Sequence, residues 1–323
     1  MSRYLNGNYI VSISGSFDQN RKYEALRFDE DLNADFPDSI DLKITNKCSH
    51  GCKFCHESSN ISGKSFDLEK TKKILDTLPN DPIEIAIGGG NVLECYDDLL
   101  ELIKFCSDKS FSTRITLNVL DILNSENTEK IKKIIEIDHS ISLGVSIQSL
   151  DQVELLIKSM EKTYATIVLH IILGIFPIEE LKSLLELPTD YYRAVGRRIL
   201  ILGYKQFGRG KNISIKEDVI NQWKNTISNY IYSTRGNKTG LLSINYKAIG
   251  FDNLAIEQLN LKDMLLKPEW ESIYLGTDFS HSMYIDAVEE TFAPTSRTDY
   301  SERVSWDNVS LIDYFKHNHN KWS

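Results

Sequence analysis

Three of the five cysteines fall within one short segment, at Cys48, Cys52 and Cys55. Thiolates spaced C-x3-C-x2-C on one loop can bind a single small metal centre, and Gly51 permits the tight turn that this spacing needs. A cubane iron–sulfur cluster held by three protein thiolates leaves one iron open, whereas electron-transfer clusters normally have four. The spacing therefore favours an iron–sulfur cluster that carries out chemistry.

Other interpretations are compatible with the cysteines taken alone. Zinc is commonly bound by three Cys and one His, and His50 or His56 lies close enough in sequence to be the fourth ligand. Two cysteines could form a disulfide, or the three could pack in the core as apolar side chains. An odd number of cysteines with local clustering points to metal rather than disulfides in a reducing compartment.

Composition argues against several classes of protein. The 323 residues carry a net charge of −9, whereas proteins that bind duplex nucleic acid usually show a surplus of Lys and Arg. No apolar run approaches the roughly 20 residues that span a bilayer. The first residues, MSRYLNGNYIVSIS, lack the apolar region of a signal peptide. We therefore expect a cytoplasmic protein with no membrane and no duplex nucleic acid as partner.

The elements that must position the cysteines alternate between strands and helices from residue 39 onwards. Short apolar strands separated by helical segments are typical of a parallel sheet covered by helices or closed into a barrel. The predicted fold class is α/β, a partial (β/α)6 TIM-like barrel with an N-terminal β-hairpin and a C-terminal α+β extension. The six barrel strands are predicted at residues 40–45, 83–87, 113–119, 141–147, 165–173 and 198–202.

Three domains are predicted from these patterns. Residues 1–38 form an N-terminal β-hairpin extension, residues 39–240 form the barrel, and residues 241–323 form a C-terminal extension that covers the substrate side. In the N-terminal extension, strands are predicted at 9–13 and 23–28, with a turn at 17–20. In the tail, a strand is predicted at 241–246, a helix at 254–265 and a hairpin with strands at 283–285 and 291–293.

The cysteine loop after the first barrel strand, with Phe54 just before the last cysteine, resembles the signature of the radical S-adenosylmethionine (SAM) superfamily. The resemblance covers roughly residues 39–210. It implies that Cys48, Cys52 and Cys55 bind a [4Fe–4S] cluster and that SAM chelates the open iron. One electron, from a reductant such as flavodoxin or ferredoxin, would then yield methionine and a 5′-deoxyadenosyl radical that abstracts hydrogen from a substrate.

Further residues fall where the superfamily has its cofactor contacts. Members usually carry a Gly-Gly-Glu-Pro segment after the second strand, whose backbone meets the cofactor amine. Gly89 and Gly90 match that segment and follow Gly88, while Asn91 replaces Glu and Val92 replaces Pro. The departure at Asn91 puts its side-chain contribution in doubt. A simple turn at a strand end is the alternative.

Polar residues at later strand ends are also candidates, because barrel active sites lie at that face. Asn118, Ser146 and Gln148 follow the third and fourth strands, where the resemblance implies contacts to the ribose and the methionine carboxylate. Lys205 and Arg209 follow the sixth strand, and a guanidinium can pair a carboxylate with two hydrogen bonds. The alternatives are polar caps for the first group and a solvated basic stretch for the second.

Two further side chains carry less specific signals. Cys95 lies four residues after Asn91, near the expected cofactor, and is a candidate catalytic residue that donates a hydrogen atom to a substrate radical. His170 lies within an apolar strand, where a lone His is more often a core residue than a ligand.

The leading hypothesis for the substrate is a peptide or protein. The tail segments SMYID (282–286) and ETFAP (290–294) resemble, without cysteines, the strand pair of the extension found in peptide-modifying radical SAM enzymes. The alternatives are a radical SAM enzyme that acts on a nucleotide or other small metabolite, and a non-catalytic zinc-binding module. Truncation after Tyr246 is expected to preserve the metal centre and abolish turnover.

Overall fold

The computed structural model describes residues 2–14, 20–27, 32–160, 165–187, 198–235, 248–274 and 276–319. The strands in these ranges are β1 (Ser2–Asn6), β2 (Tyr9–Ser14), β3 (Asn20–Ala25), β4 (Ser39–Thr45), β5 (Glu84–Gly89), β6 (Ser112–Asn118), β7 (Ser142–Ser146), β8 (Thr166–Ile172), β9 (Arg198–Leu202), β10 (Ala248–Phe251), β11 (Ser282–Asp286), β12 (Thr291–Ala293) and β13 (Val304–Ser305). The α-helices are α1 (Leu68–Leu75), α2 (Tyr96–Asp108), α3 (Val119–Leu123), α4 (Thr128–Ile137), α5 (Leu150–Met160), α6 (Ile178–Glu186), α7 (Glu217–Arg235), α8 (Asn253–Leu259), α9 (Lys267–Ile273) and α10 (Leu311–Asn318). Among the described residues, no helix is both long enough and apolar enough to cross a membrane.

The predicted α/β class is confirmed, because each of the six predicted barrel strands corresponds to one of β4–β9. The chain divides into two compact units. The first contains Met1–Thr116, Lys133–Ser142 and Gly276–Ser323, and the second contains Leu117–Lys132 and Leu143–Leu275. The domain boundaries after residues 38 and 240 stay predictions.

In the first unit, β4 is an inner strand of the sheet. The strand order is β6–β5–β4–β11–β12–β13, and β4 pairs in parallel with both β5 and β11. Ile40, Leu42 and Ile44 of β4 are at most 1% exposed, because alternate residues of a strand point to the same, buried face. The cysteine loop therefore leaves the sheet from a strand that is paired on both sides.

The N-terminal residues form a three-stranded antiparallel sheet in the order β1–β2–β3. The pairing of β2 with β3 confirms the predicted hairpin, whereas β1 was not predicted. The predicted turn falls on residues 17–19, which lie outside the described ranges, and Asn20, the first residue of β3. The buried Asp38 carboxylate accepts hydrogen bonds from the hydroxyls of Tyr4 and Tyr9 at 2.8 and 2.5 Å. These contacts attach the small sheet to the residue that precedes β4.

The second unit contains the strand order β7–β8–β9–β10, with β9 parallel to both β8 and β10. Ile167, Leu169 and Ile171 of β8 are buried, and His170 is half-buried on the opposite face. His170 therefore lies at the margin of the core, on the face of β8 that also carries Val168 and Ile172. A side-chain carbon at Gly144 would lie 2.2 Å from its ring, so that glycine makes room for the imidazole.

The C-terminal residues extend the sheet of the first unit. Strands β11 and β12 pair antiparallel, as predicted for the tail hairpin, but β11 also pairs in parallel with β4 over five positions, from Ser282↔Ser39 to Asp286↔Lys43. Hydrophobic patterning did not reveal this pairing because it joins segments more than 200 residues apart. The predicted strand at 241–246 lies outside the described ranges, and the role of the tail as a cover stays a prediction.

Candidate active site

The three clustered cysteines lie on the loop that leaves β4 at its carboxyl end. The loop folds back on itself: the Cys48 N–H donates to the Asn60 carbonyl at 2.9 Å, and the Asn46 N–H donates to the Lys64 carbonyl at 2.8 Å. All three cysteine residues are half-buried. The loop thus presents thiols that are partly shielded from bulk water and remain accessible to a ligand.

Tight turns separate the cysteines. Gly51 has a φ of +64°, a left-handed conformation that glycine adopts without strain. The Cys55 N–H donates to the Cys52 carbonyl at 3.3 Å and closes a second turn. Phe54 lies in this turn and is half-buried. The short spacing of the cysteines is therefore accommodated as the sequence predicts, while a contact of Phe54 with a cofactor stays a prediction.

The chemistry of these side chains fits an iron–sulfur cluster. All five cysteines are thiols rather than disulfides, and the deprotonated thiol is the ligand that iron–sulfur clusters take. Three such ligands would leave one iron of a cubane open, and each thiolate would bind a different iron, so a cluster would not need the sulfurs to converge on one point. In the part of the chain that the structure describes, no three or more His, Cys, Asp or Glu side chains are grouped so as to hold a metal ion.

The glycine turn at the end of β5 lies directly against the cysteine loop. A side-chain carbon added at Gly89 would be 2.4 Å from the Thr45 carbonyl oxygen, and one added at Gly90 would be 2.3 Å from the Lys47 carbonyl oxygen. The N–H groups of Gly90 and Asn91 donate to these same two carbonyls at 2.6 and 2.7 Å. The glycines thus allow the turn to approach the loop closely enough for hydrogen bonding.

Gly89→Ala is expected to destabilise the first unit, whereas Gly88→Ala is expected to be tolerated. Gly89 has a φ of +125°, and a residue with a side chain in such a region costs about 1–3 kcal/mol before the clash with Thr45 is included. At Gly88 the nearest atom to an added carbon is the Thr116 Cβ, at an ordinary 4.0 Å. Thermal unfolding of both variants, each without added iron, measures the difference, and equal midpoints would contradict it.

Asn91 acts as a cap in this turn. Its side-chain oxygen accepts a hydrogen bond from the Leu93 N–H at 3.1 Å and begins a short 3-10 helix at Val92–Cys95. Asparagine is among the preferred residues at such positions. This contact gives a local reason for Asn where the superfamily usually has Glu, and a contact of Asn91 with the cofactor stays a prediction.

Glu94 is a functional candidate that sequence reasoning missed. Its carboxylate accepts a hydrogen bond from the Ser49 N–H at 3.0 Å and lies 3.8 Å from the Lys47 ammonium group. It therefore holds the cysteine loop from the side of the glycine turn. An acidic residue within one helical turn after a glycine-rich strand end is a weak signal, because many surface helices begin with Glu or Asp.

Cys95 follows Glu94 and is half-buried. Burial raises the pKa of its thiol to about 11, so the sulfur keeps its proton at neutral pH. The Cys95 sulfur lies 3.4 Å from the Val92 carbonyl oxygen. A protonated thiol is the form that can give up a hydrogen atom, and the role of Cys95 as a hydrogen donor stays a prediction.

Asn118, Ser146 and Gln148 belong to the second unit. The Asn118 side chain accepts a hydrogen bond from the Leu120 N–H at 2.9 Å and caps α3. The Gln148 N–H donates to the Gln152 side chain at 2.7 Å, and Ser146 is the half-buried last residue of β7. The capping alternative is thus realised at Asn118, and cofactor contacts of all three residues stay predictions.

Lys205 and Arg209 follow β9 in the second unit, and both are half-buried. Tyr204 lies between β9 and Lys205, and its hydroxyl donates to the Gly210 carbonyl, next to Arg209, at 2.5 Å. The Gln258 side chain exchanges hydrogen bonds of 2.8 and 3.0 Å with the Tyr204 backbone. These contacts fix the segment that carries the two cations, whose pairing with a carboxylate stays a prediction.

Residues 42–172 match the Radical SAM superfamily. This range includes the cysteine loop, the glycine turn and the first four strand ends considered above, and it confirms the resemblance drawn from the cysteine spacing. Over 115 residues the chain is 28% identical to the uncharacterized protein MJ0907 of Methanocaldococcus jannaschii, a match that covers 34% of this chain and 38% of that protein.

In fold, the chain is similar to SuiB of Streptococcus suis. One crystal structure of SuiB is bound to S-adenosylmethionine and another to the precursor peptide SuiA, with TM-scores of 0.64 and 0.63 and 14% sequence identity in each case. Each match covers 88% of this chain and 66% or 65% of the SuiB chain. The likeness is one of fold, and it agrees with the predicted partial barrel.

Proposed function

We propose that this chain, whose residues 42–172 match the Radical SAM superfamily, cleaves SAM reductively at a [4Fe–4S] cluster and abstracts hydrogen from a peptide or protein. The observation that carries the proposal is the set of three half-buried thiols, Cys48, Cys52 and Cys55, on a loop joined by hydrogen bonds to a glycine turn. When bound, the cluster and SAM supply the carbon radical.

The residues of the chain itself orient and shield this chemistry. Cys48, Cys52 and Cys55 would each bind one iron of the cluster. The N–H groups of Gly90 and Asn91 hold the loop on one side through the carbonyls of Thr45 and Lys47. The Glu94 carboxylate holds it through the N–H of Ser49. We assign SAM contacts to residues of the cysteine loop, of the glycine turn and of the segments at later strand ends, namely Phe54, Gly88, Gly89, Gly90, Asn91, Asn118, Ser146, Gln148, Lys205 and Arg209.

A peptide or protein is the proposed substrate class. The fold likeness to SuiB, which was crystallised with the precursor peptide SuiA, supports this class. The cysteine-free strand pair β11–β12 supports it further, since it matches in position the strand pair by which the sequence resembles peptide-modifying enzymes. A flavodoxin or ferredoxin is the proposed electron donor.

The reduced holoenzyme, mixed with SAM, is expected to release 5′-deoxyadenosine and methionine. Liquid chromatography of anaerobic reactions measures both products, and the matched control is the Cys55→Ala variant under the same reductant. Persistent absence of 5′-deoxyadenosine, with an intact reduced cluster and candidate peptides present, would contradict the proposed chemistry.

The substrate class has a separate test. Peptides encoded by short genes beside this one, prepared with fully deuterated side chains and backbone, are expected to transfer deuterium into 5′-deoxyadenosine. Mass spectrometry detects the added mass. Deuterium transfer from a labelled nucleoside, with none from any peptide, would replace the peptide proposal by the small-metabolite alternative.

A further inference from the structure

Four buried charges surround the end of β4, and we call them the buried charge network. They are Lys43, Glu57, Asp286 and Arg303, whose side chains are 2%, 7%, 0% and 3% exposed. The Lys43 ammonium donates to the Glu57 carboxylate at 2.7 Å and to the Asp286 carboxylate at 2.9 Å. Arg303 donates to the same Asp286 oxygen at 2.8 Å. Two cations and two anions make the network neutral.

Glu57 joins the network to the cysteine loop, because it lies two residues after Cys55. One of its oxygens accepts the Lys43 bond, and the other accepts a hydrogen bond from the Tyr284 hydroxyl at 3.3 Å. His56, next to Cys55, has its Nε2 atom 3.4 Å from the same carboxylate. The end of the cysteine loop is therefore attached to β4 and, through Tyr284, to β11.

Asp286 and Arg303 bring the C-terminal residues into the network. The second Asp286 oxygen accepts hydrogen bonds from the N–H groups of Val288 and Glu289 at 3.2 and 3.1 Å, which shapes the turn after β11. The Arg303 guanidinium lies 4.1 Å from the centre of the Tyr300 ring, within cation–π distance. Three successive ion pairs thus connect Arg303 with the residue two positions beyond Cys55.

Lys43 also touches the glycine turn. It pairs with Gly88 on β5 and with Asp286 on β11, and its Cγ atom would lie 3.2 Å from a side-chain carbon at Gly89. The network therefore lies between the cysteine loop, which the proposed function assigns to the cluster, and the glycine turn, which it assigns to SAM. Burying four charges costs desolvation energy that ion pairs do not always recover, and apolar residues would fill the same space. A contribution to folding stability is therefore a weak explanation for these four buried charges.

We propose that the buried charge network positions the cysteine loop and sets the reduction potential of the cluster, with Glu57 as the positioning residue. The inference rests on the proposed function. Net charge near a cluster is one of the factors that fix its potential, and a charge acts strongly where water is excluded. Reduction adds an electron, so loss of a nearby anion favours the reduced cluster and loss of a nearby cation disfavours it.

The test is a double-mutant cycle at Lys43 and Glu57, with the potential of the holoenzyme measured by electron paramagnetic resonance during redox titration. Glu57→Gln leaves one excess cation and is expected to shift the potential upward. Lys43→Gln leaves one excess anion and is expected to shift it downward. The double variant restores neutrality and is expected to return the potential most of the way to that of the unaltered chain. A role in folding alone would give no opposite shifts and no restoration.

Asp278→Asn is the matched control, because Asp278 pairs with Arg297 in the same C-terminal segment but lies outside the network. It is expected to leave the potential unchanged. If a single variant does not fold, the potentials of the double variant and of Arg303→Gln are measured instead. Arg303→Gln is then expected to shift the potential downward. Equal potentials in all folded variants, or failure of every network variant to fold, would overturn the inference. Failure of the unaltered chain to bind a cluster would instead overturn the proposed function.

Discussion

Simultaneous replacement of Cys48, Cys52 and Cys55 by Ala is expected to abolish iron and sulfide binding and the brown colour of the anaerobically reconstituted protein. These are the thiols on the loop at the end of β4, and Cys106 is fully buried in the core. Because each thiolate of the proposed cluster would hold a different iron, the remaining cysteines, Cys95 and Cys106, would not replace the three. Iron and sulfide analysis, with the absorption spectrum, measures the loss.

Cys95→Ala is the control for that experiment, since it removes a half-buried thiol near the loop without removing a proposed ligand. It is expected to retain four irons and four sulfides per chain. Full iron content in the triple variant would show that the ligand assignment is wrong. Zinc in place of iron and sulfide in the unaltered chain would favour the zinc-binding alternative, in which His50 or His56 completes the site.

A chain that ends after Tyr274 is expected to lose both its cooperative fold and its iron. The deletion removes β11, the parallel neighbour of β4, and the fully buried side chains of Phe292 and Phe315. It also leaves the Lys43 ammonium buried without Asp286, and breaking a buried ion pair costs about 3–5 kcal/mol. That loss is a large fraction of the roughly 5–15 kcal/mol that stabilises a typical domain.

Circular dichroism and iron analysis of the soluble fraction measure this outcome. In the full-length chain, Met283→Pro is expected to have a similar effect, because proline cannot donate within an inner strand, while Met283→Leu is expected to remain folded. From the sequence alone, we expect the metal centre to survive removal of the tail. The pairing of β11 with β4 instead predicts that the metal centre is lost with the tail. A soluble, folded truncated chain with full iron content would support the earlier expectation.

Local sequence patterns were sufficient to predict much of the fold. The apolar strands of the barrel were predicted within one or two residues of β4–β9, because the period of two and the helical segments between strands are properties of short windows. The tail hairpin was predicted for the same reason, and its pairing is observed between Tyr284↔Ala293 and Asp286↔Thr291. The apolar pattern of β8 did not reveal how deeply each of its two faces is buried, and the structure shows His170 on the half-buried one.

The sequence by itself determined that three cysteines share one loop after the first barrel strand, and the resemblance to the radical SAM superfamily followed from that loop and Phe54. Only the tertiary structure decided what surrounds that loop. The contact of Gly89 with Thr45 and the ion pair of Lys43 with Asp286 join segments about 40 and more than 200 residues apart. Such pairings leave no periodic trace in the sequence, because they depend on which strand edges meet once the chain has folded.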